Sequence, residues 1–541
     1  MSAPFNGPEW WREAVAYQIY PRSFQDSNGD GVGDIPGIIA RLDYLNDGTE
    51  GSLGIDAIWL SPTFPSPMKD FGYDVSNYVD VHPDFGTLAD MDRLIAECHK
   101  RRMKLLLDYV PNHTSDQHPW FVEARSSRVN PRRDWYVWRD GKEGGGLPNN
   151  WLAVFGGPAW EFDEATGQCY LHSFLKEQPD LNWRNPEVVA AMHDVLRFWL
   201  ARGIDGFRID VMGMVVKHPE YPDNPPNLHW RPGDEQHFQQ LPTNNVNYPD
   251  VFEAVRGIRA VLDEFGAMAV AEVFGSGQQL NRYYGGDAQD GLQLAFDFRF
   301  IREREGPYAE WDARYFRRIV EDSFKNLPAG AQPCYAFDNH DRFRLASRLN
   351  QDGFGNERAR AAALLLLGLR GTPFLYYGAE IGMVDVDIPE ALLQDPARFQ
   401  YQGRDPERTP MQWDATPGRG FSTGEPWLPY GPLELNVDAQ LDEPDSMLSL
   451  HRRAIWRRRA STVLRQGGYR LLDSPPEVFA FERALDGERP VVVAVNTAIR
   501  PVTLALAGSG SVLVATRLEL EGRPVVDSIE LPALGCAWIQ M

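Results

Sequence analysis

With 541 residues the chain exceeds what one compact core needs and suffices for a large barrel with one or two smaller modules. Its 43% hydrophobic and 24% charged residues exclude a disordered chain, and a net charge of −22 makes phosphate backbones and anionic lipid poor partners, so neither nucleic acid nor a membrane is expected. Four scattered cysteines (Cys98, Cys169, Cys334 and Cys536), none in a C-x-x-C spacing, exclude a disulfide framework or a zinc ribbon and suit a reducing, cytoplasmic setting.

The N-terminal segment MSAPFNGPEWWREAVAYQIYPRSF has no basic region followed by an apolar run, so no signal peptide is expected. Strand candidates follow at Ala14–Tyr20, Ile55–Leu60, Lys104–Tyr109, Gly206–Ile209, Ala269–Val273, Gln293–Phe296, Pro333–Phe337 and Thr372–Tyr376. Amphipathic helical patterns lie between them, for example Leu88–Arg102, Pro186–Arg202 and Val251–Glu264. The most apolar run, Ala361–Leu369, is too short to span a bilayer and reads as a buried helix. Eight strands in β-α alternation predict an α/β protein with a (β/α)8 TIM barrel; a doubly wound sheet is the competing architecture.

Two intervals break the alternation. Residues 111–181, rich in Trp, Gly, Pro and Asn, read as a lid subdomain inserted after strand three, which leaves 1–110 and 182–461 to the barrel. A second irregular stretch, about 383–436, follows strand eight. From 462 to 541 the pattern becomes one of alternating strands (Val491–Val495, Val512–Ala515), predicting a C-terminal antiparallel β-domain.

The predicted strand ends carry polar clusters: LDYVPNH with Asp108 and His113, GFRIDV with Arg208 and Asp210, AEV with Glu272, and FDNHD with His340 and Asp341. A single Asp after a strand is usually a helix cap. Four such ends in a barrel converge on one axial pocket, and coincident caps would not need His and Arg beside the acids. Three carboxylates there suit cleavage of a glycosidic bond, where one acid attacks the anomeric carbon and another protonates the leaving oxygen. Arg208 lies two residues before Asp210, on the same side of a strand, and is expected to keep Asp210 ionised. Glu272, between Ala271 and Val273, is expected to hold its proton, and Asp341 to grip sugar hydroxyls.

These segments resemble the four signature regions of the α-amylase superfamily, glycoside hydrolase family 13, over nearly the whole chain. QPDLNW (Gln178–Trp183) and AYQIYPRSFQDSNGDGVGD are similar to the oligo-1,6-glucosidase and α-glucosidase subgroup. The resemblance implies a retaining mechanism with Asp210 as nucleophile, Glu272 as acid/base and Asp341 as transition-state stabiliser. It also implies that Asp70, Tyr73, His113, Phe174, Arg208, His340 and Arg408 line a pocket for the non-reducing glucose, Tyr73 as a stacking face and Asp70 with Arg408 closing the far end for exo-attack. The substrate is then a short α-glucoside of the maltose, isomaltose or sucrose type, turned over by a monomer or homodimer.

Asp26, Asn28, Asp30, Val32 and Asp34 place oxygen ligands at alternating positions, with Gly31 sixth, as in the first part of a calcium loop. Gly37 stands where an EF-hand has Glu, and a strand is expected before the loop, so the expectation is one structural Ca2+ or Mg2+ rather than an EF-hand, with an Asx-rich turn as the rival. No cofactor is expected for catalysis: H-E-x-x-H is absent, and GDGVGD lacks the Lys-Ser/Thr of a phosphate loop. His82, His99, His118 and His218 fit no constellation, and the Trp135–Trp160 stretch is expected to divide between lid packing and sugar contact.

Val211, directly after the nucleophile, is the residue type that the resemblance associates with α-1,6 preference. A link lengthened by NDGTEGSL before strand two and the distinctive MGMVVKHPEYPDNPPN after the nucleophile depart from the family pattern. Besides a hydrolase, the same glycosyl-enzyme would serve a disaccharide transglycosylase or isomerase (trehalose synthase or sucrose isomerase type), although an Arg-rich RLDRD-type loop is missing. A dead barrel acting as a binding subunit would lack one of the acids, and all three are present.

Overall fold

The computed structural model of the protein describes residues 7, 9–275, 277–301, 311–399 and 403–541. Eight parallel strands close into a barrel in chain order: Ala16–Ile19, Ala57–Leu60, Lys104–Tyr109, Gly206–Ile209, Met268–Ala271, Leu294–Asp297, Cys334–Ala336 and Thr372–Tyr376, the last pairing back onto the first. Segments such as AIWL and MAVA are buried at every position, as strands covered by helices on one face and by barrel core on the other must be. All eight lie where the apolar runs predicted them, and closure removes the doubly wound alternative.

The covering helices owe their ends to local chemistry. Leu88–Lys100 starts in a capping box, Thr87 and Asp90 bonding each other's backbone N–H, and turns Met91, Leu94, Ile95 and Cys98 inward at i, i+3, i+4, i+7. Gly355–Gly368 is buried around most of its girth because it is covered on two sides: it contacts both the helix Met447–Ala460 and the C-terminal strands Val491–Asn496 and Cys536–Gln540. Gly368 permits that approach, since a Cβ there would come within 2.9 Å of Trp538 Nε1 and Val493 Cγ2. No helix among the described residues is long and apolar enough to cross a membrane.

The lid carries the helix Pro119–Ser126 and a three-stranded antiparallel sheet of Trp138–Arg139, Gln168–Leu171 and Trp160–Asp163. Trp151 and Trp160 form its small core with Tyr221, which comes from the loop after the fourth barrel strand. The tryptophans of this stretch are packing residues; none of them lines the central pocket. The C-terminal module is a six-stranded antiparallel sheet running from Gly468–Leu471 to Cys536–Gln540. The lengthened link before strand two packs on the helix Met447–Ala460, with Trp456 donating to the Ser52 carbonyl (2.9 Å) and Arg459 to that of Gly54 (2.8 Å).

Candidate active site

Barrel register sets the first contact of the site. Asp108 and Arg208 are cross-strand partners on neighbouring strands, and Ile209 is paired with Ala271 one residue before Glu272. Arg208 is wholly buried and divides its guanidinium among three carboxylates: Nη1 donates to Asp108 Oδ1 (2.8 Å) and Asp210 Oδ1 (2.7 Å), and Nη2 to Glu272 Oε2. Trp59 Nε1 (3.1 Å) and the Tyr73 hydroxyl (3.0 Å) donate to the second oxygen of Asp108. Burial lifts Asp108 to about 6 against the pull of Arg208, and lifts Asp210 well above the ordinary carboxylate range, with Glu272, Asp108 and Asp341 reinforcing it.

Burial outweighs the Arg208 guanidinium at Asp210, so Arg208 does not by itself hold Asp210 ionised, as its position two residues upstream suggested. Asp210 and Glu272 are bridged by that one guanidinium. Asp341 behaves differently. Burial acts to raise it, but the charges of Arg404, Arg408 and Arg208 outweigh burial and keep it below the usual carboxylate range.

His340 is fully buried, and burial keeps its ring neutral. Its Nδ1 meets Gln18 Nε2 at 2.7 Å and its Nε2 meets the Tyr73 hydroxyl at 2.7 Å. From the lid, His113 and Phe174 come together with ring centroids 5.1 Å apart, and burial lowers His113 to about 4, so it too is uncharged near neutrality. The lid is tied to the barrel by Asp180, which accepts from Ser173 N (2.8 Å) and pairs with the buried Lys217 (2.6 Å).

The far end of the pocket corrects the sequence reading. Asp70, 4% exposed, is met by Arg404 and not by Arg408: Arg404 Nη2 donates to Asp70 Oδ1 at 2.6 Å and Arg404 Nη1 to Asp341 Oδ1 at 3.1 Å. Arg408 stands behind, donating to the His340 carbonyl (2.7 Å) and to Asp341 Oδ1 (3.1 Å), and it does not line the pocket. Both arginines lie four residues apart in GRDPERTPMQW, a stretch without periodicity, so spacing could not distinguish them. Gln178 of QPDLNW was also missed as a contact; its amide donates to Asp70 Oδ2 and meets His113 Nε2, both at 3.1 Å.

The resulting cavity of about 340 Å3 is lined by Asp70, Tyr73, His113, Phe174, Asp210, Glu272, Asp341 and Arg404 at its polar end. This is room for a small ligand. Val211, also in the lining, has φ of 34°, a left-handed conformation that costs a β-branched residue about 1–3 kcal/mol. Its N–H faces Glu272 Oε2 at 3.4 Å.

The Asp26–Asp34 loop is a chain of Asx turns. Asp26 accepts from the backbone of Asn28 (2.9 Å), Gly29 (2.8 Å) and Gly31 (2.9 Å), Asn28 from Asp30 N (2.9 Å), and Asp30 from Val32 N (2.9 Å). Asp34 caps the following helix Ile35–Ala40 through Gly37 N (2.6 Å). The element preceding the loop is the helical turn Pro21–Phe24, where a strand was expected. The donor set is all oxygen, as a hard cation requires, although among the described residues no three acidic, His or Cys side chains are gathered closely enough to hold a metal by themselves.

A family model described as the α-amylase catalytic domain matches residues 18–467. Among curated relatives, an oligo-1,6-glucosidase of Parageobacillus thermoglucosidasius is 41% identical, with 90% of each chain covered. A probable alpha-glucosidase of Rhizobium meliloti is likewise 41% identical, covering 98% of this chain and 97% of its own. Among solved structures, an alpha-glucosyl transfer enzyme, XgtA, superposes with a TM-score of 0.90 at 38% identity, covering 98% and 99% of the two chains. The trehalulose synthase MutB of Pseudomonas mesoacidophila MX-45 gives 0.87 at 35% identity, covering the same shares. On this match, and on the barrel whose strand ends carry the acids, the chain belongs to the α-amylase family of glycoside hydrolases, family 13.

Proposed function

We propose that the protein is a retaining, exo-acting α-glucosidase that releases α-glucose from the non-reducing end of short α-glucosides. The observation that carries this reading is the polar end of the pocket, where the Asp70–Arg404 pair stands across the cavity that also holds Asp210 and Glu272. A cleft shut there admits a chain end and not a chain middle.

Glu272 delivers a proton to the glycosidic oxygen while Asp210 attacks the anomeric carbon and takes the glucosyl group as an ester. Glu272, now a carboxylate, deprotonates an incoming water, which releases Asp210 and returns glucose with its α configuration. Asp341, kept anionic by its arginines, bonds the ring hydroxyls more strongly as positive charge develops. Tyr73 and Phe174 supply apolar faces and His113 a neutral polar edge, while His340 and Arg208, expected in the lining, stand behind it: His340 meets the Tyr73 hydroxyl and Arg208 aligns the two reacting acids. Arg408 acts through Asp341 and the His340 backbone as a positioning residue.

Val211 and the relatives named oligo-1,6-glucosidase support an α-1,6 preference over α-1,4. The alternative, a disaccharide transglycosylase or isomerase on the same intermediate, is supported by the likeness to XgtA and trehalulose synthase. A product time course on maltose, isomaltose, sucrose and trehalose decides between them. Early free glucose, α anomer first, is the expected result; rearranged disaccharides with little glucose would favour the alternative, and early β-glucose would end the retaining reading.

A hard divalent cation, Ca2+ or Mg2+, at Asp26, Asn28, Asp30, Val32 and Asp34 is part of the same proposal, supported by oxygen donors at alternate positions. When bound, it would pin this loop to the segment around Ser422, whose hydroxyl donates to Asp26 at 2.5 Å. Four buried free cysteines support action in the cytoplasm.

A further inference from the structure

The underside of the barrel runs against the charge of the rest of the molecule. The chain as a whole is acidic, at −22. Yet at the N-terminal ends of the strands, on the face away from Asp210 and Glu272, a cavity of about 420 Å3 is lined by Trp10, Arg12, Glu13, Gln332, Arg370 and Arg465. Four separate segments meet there: the turn Trp10–Arg12 ahead of strand one, residue 332 ahead of strand seven, residue 370 between the helix Gly355–Gly368 and strand eight, and the helix Thr462–Gln466 that leads into the C-terminal module.

The carboxylates at this cavity are already engaged by two of its cations. Glu9, also in the lining, accepts from Arg12 Nη2 at 3.0 Å, and Glu13 accepts from Arg465 Nη1 and from Gln466 Nε2 (2.6 Å). Arg370 forms no ion pair among the described residues; it donates from Nη2 to the Ala331 carbonyl at 3.3 Å, and its Nε and Nη1 bond no protein group. Arg465 Nε is buried and likewise without a partner. Behind the wall, Arg458 and Arg483 are wholly buried and donate to backbone carbonyls, Arg458 to those of Leu367 (2.7 Å) and Gly371 (2.9 Å) and Arg483 to those of Gly368 (3.0 Å) and Gly467 (2.8 Å). Carbonyls satisfy these N–H groups without cancelling the charge. Asp56, the buried acid that acts on Arg458, is itself held by Arg459. Burial, with Arg12 adding to it, acts against the charge of Arg370, and burial with Arg458 and Arg370 acts against that of Arg483.

Like charges gathered in a partly desolvated recess favour an anion that faces several of them at once. A chloride would answer the charge and leave most donors idle, whereas a tetrahedral dianion offers oxygens to more than one guanidinium fork. We propose that this recess binds an oxyanion of the phosphate class, free or as the phosphate group of an ester, on the guanidinium groups of Arg12, Arg370 and Arg465. Bound there, the anion ties the entry to the C-terminal module onto the underside of the barrel. The site stands apart from the glycosidase reading, since none of its lining residues lines the catalytic pocket.

The test is calorimetric titration of the whole protein with inorganic phosphate and, separately, with glycerol 2-phosphate, at a pH where both are dianions and at an ionic strength held constant with sodium chloride. The expected result is saturable uptake of one equivalent per chain, weakened at least about tenfold in Arg370→Met and in Arg12→Met, the worth of one charged hydrogen bond. Far-UV circular dichroism checks each variant, and the second keeps the test open should the first not fold. Tighter uptake of inorganic phosphate identifies the free ion as occupant, and tighter uptake of glycerol 2-phosphate an ester; either upholds the site. No saturable heat with either probe would overturn it. So would uptake of equal strength in the parent and both variants, which would leave these arginines a purely structural cluster.

Discussion

Two groups of acids in this molecule make opposite use of sequence distance. Asp108, Asp210, Glu272 and Asp341 come from four strand ends spread over 234 positions, yet Arg208 touches the first three and Arg404 and Arg408 hold the fourth. Asp26, Asp30 and Asp34 lie within nine positions, yet each is spent on N–H groups of its own loop. Barrel closure gathers distant carboxylates around side-chain cations, with the Val211 N–H at 3.4 Å from Glu272 a long backbone contact, so their charge is left for chemistry. Local spacing gathers Asx turns.

The difference can be broken by substitution, beginning where the effect should be greatest. Asp210→Asn should lower kcat/KM by at least roughly 10⁴-fold, since it removes the nucleophile. Unchanged far-UV circular dichroism would accompany it, and near-normal rates would sink the assignment. Arg208→Met leaves three buried carboxylates without their shared cation, for a destabilisation of about 3–5 kcal/mol in chemical unfolding. A variant as stable as the parent would show that the cluster is hydrated and not held by Arg208.

A paired comparison separates the two arginines of the irregular segment. Arg404→Ala should raise KM by about 10–100-fold, the worth of one or two charged hydrogen bonds to substrate and Asp70. Arg408→Ala should act mainly on kcat through a displaced Asp341. The reverse split would restore Arg408 as the substrate contact.

The pH dependence of stability follows from acids outside the cluster. Burial raises Asp56, Asp74 and Asp385 to about 6 each. A carboxyl raised on folding contributes stability that is full below its unfolded value near 4 and is lost as pH rises through about 6. Lowered groups such as Asp205 and Asp395 work the other way, favouring the fold above about pH 4 and withdrawing that support below it. The melting temperature should therefore peak on the acid side of neutrality, and a flat melting profile between pH 5 and 7 would contradict these assignments. Smallest of all, chelation should lower the melting temperature by a few degrees if the Asp26–Asp34 loop holds its cation. An unchanged curve with no metal in elemental analysis would leave a self-contained Asx loop.

Much of this was legible in the chain. The eight strands are short, apolar and regularly spaced, and the residues closing each of the four motifs project into one axial space by barrel geometry alone. The pocket's closed end was not legible, because Arg404 and Arg408 sit in a segment of isolated turns whose direction only tertiary packing sets. Nor was the mouth, since Glu235 and Arg342 pair across 107 positions from two loops with no periodic signal. The ionisation of Asp210 was misread for a physical reason: a strand neighbour was visible in the sequence, but the depth to which the carboxyl is buried was not.

The central claim, that Asp210 carries the glucosyl group, is tested most directly by trapping the intermediate. The protein would be incubated with a slowly turned-over fluorinated α-glucosyl fluoride, digested, and its peptides examined by mass spectrometry. The account predicts a single glucosyl adduct on the peptide containing Asp210, lost in Asp210→Asn. An adduct on another acid, or steady fluoride release with β-glucose as first product and no adduct, would contradict it.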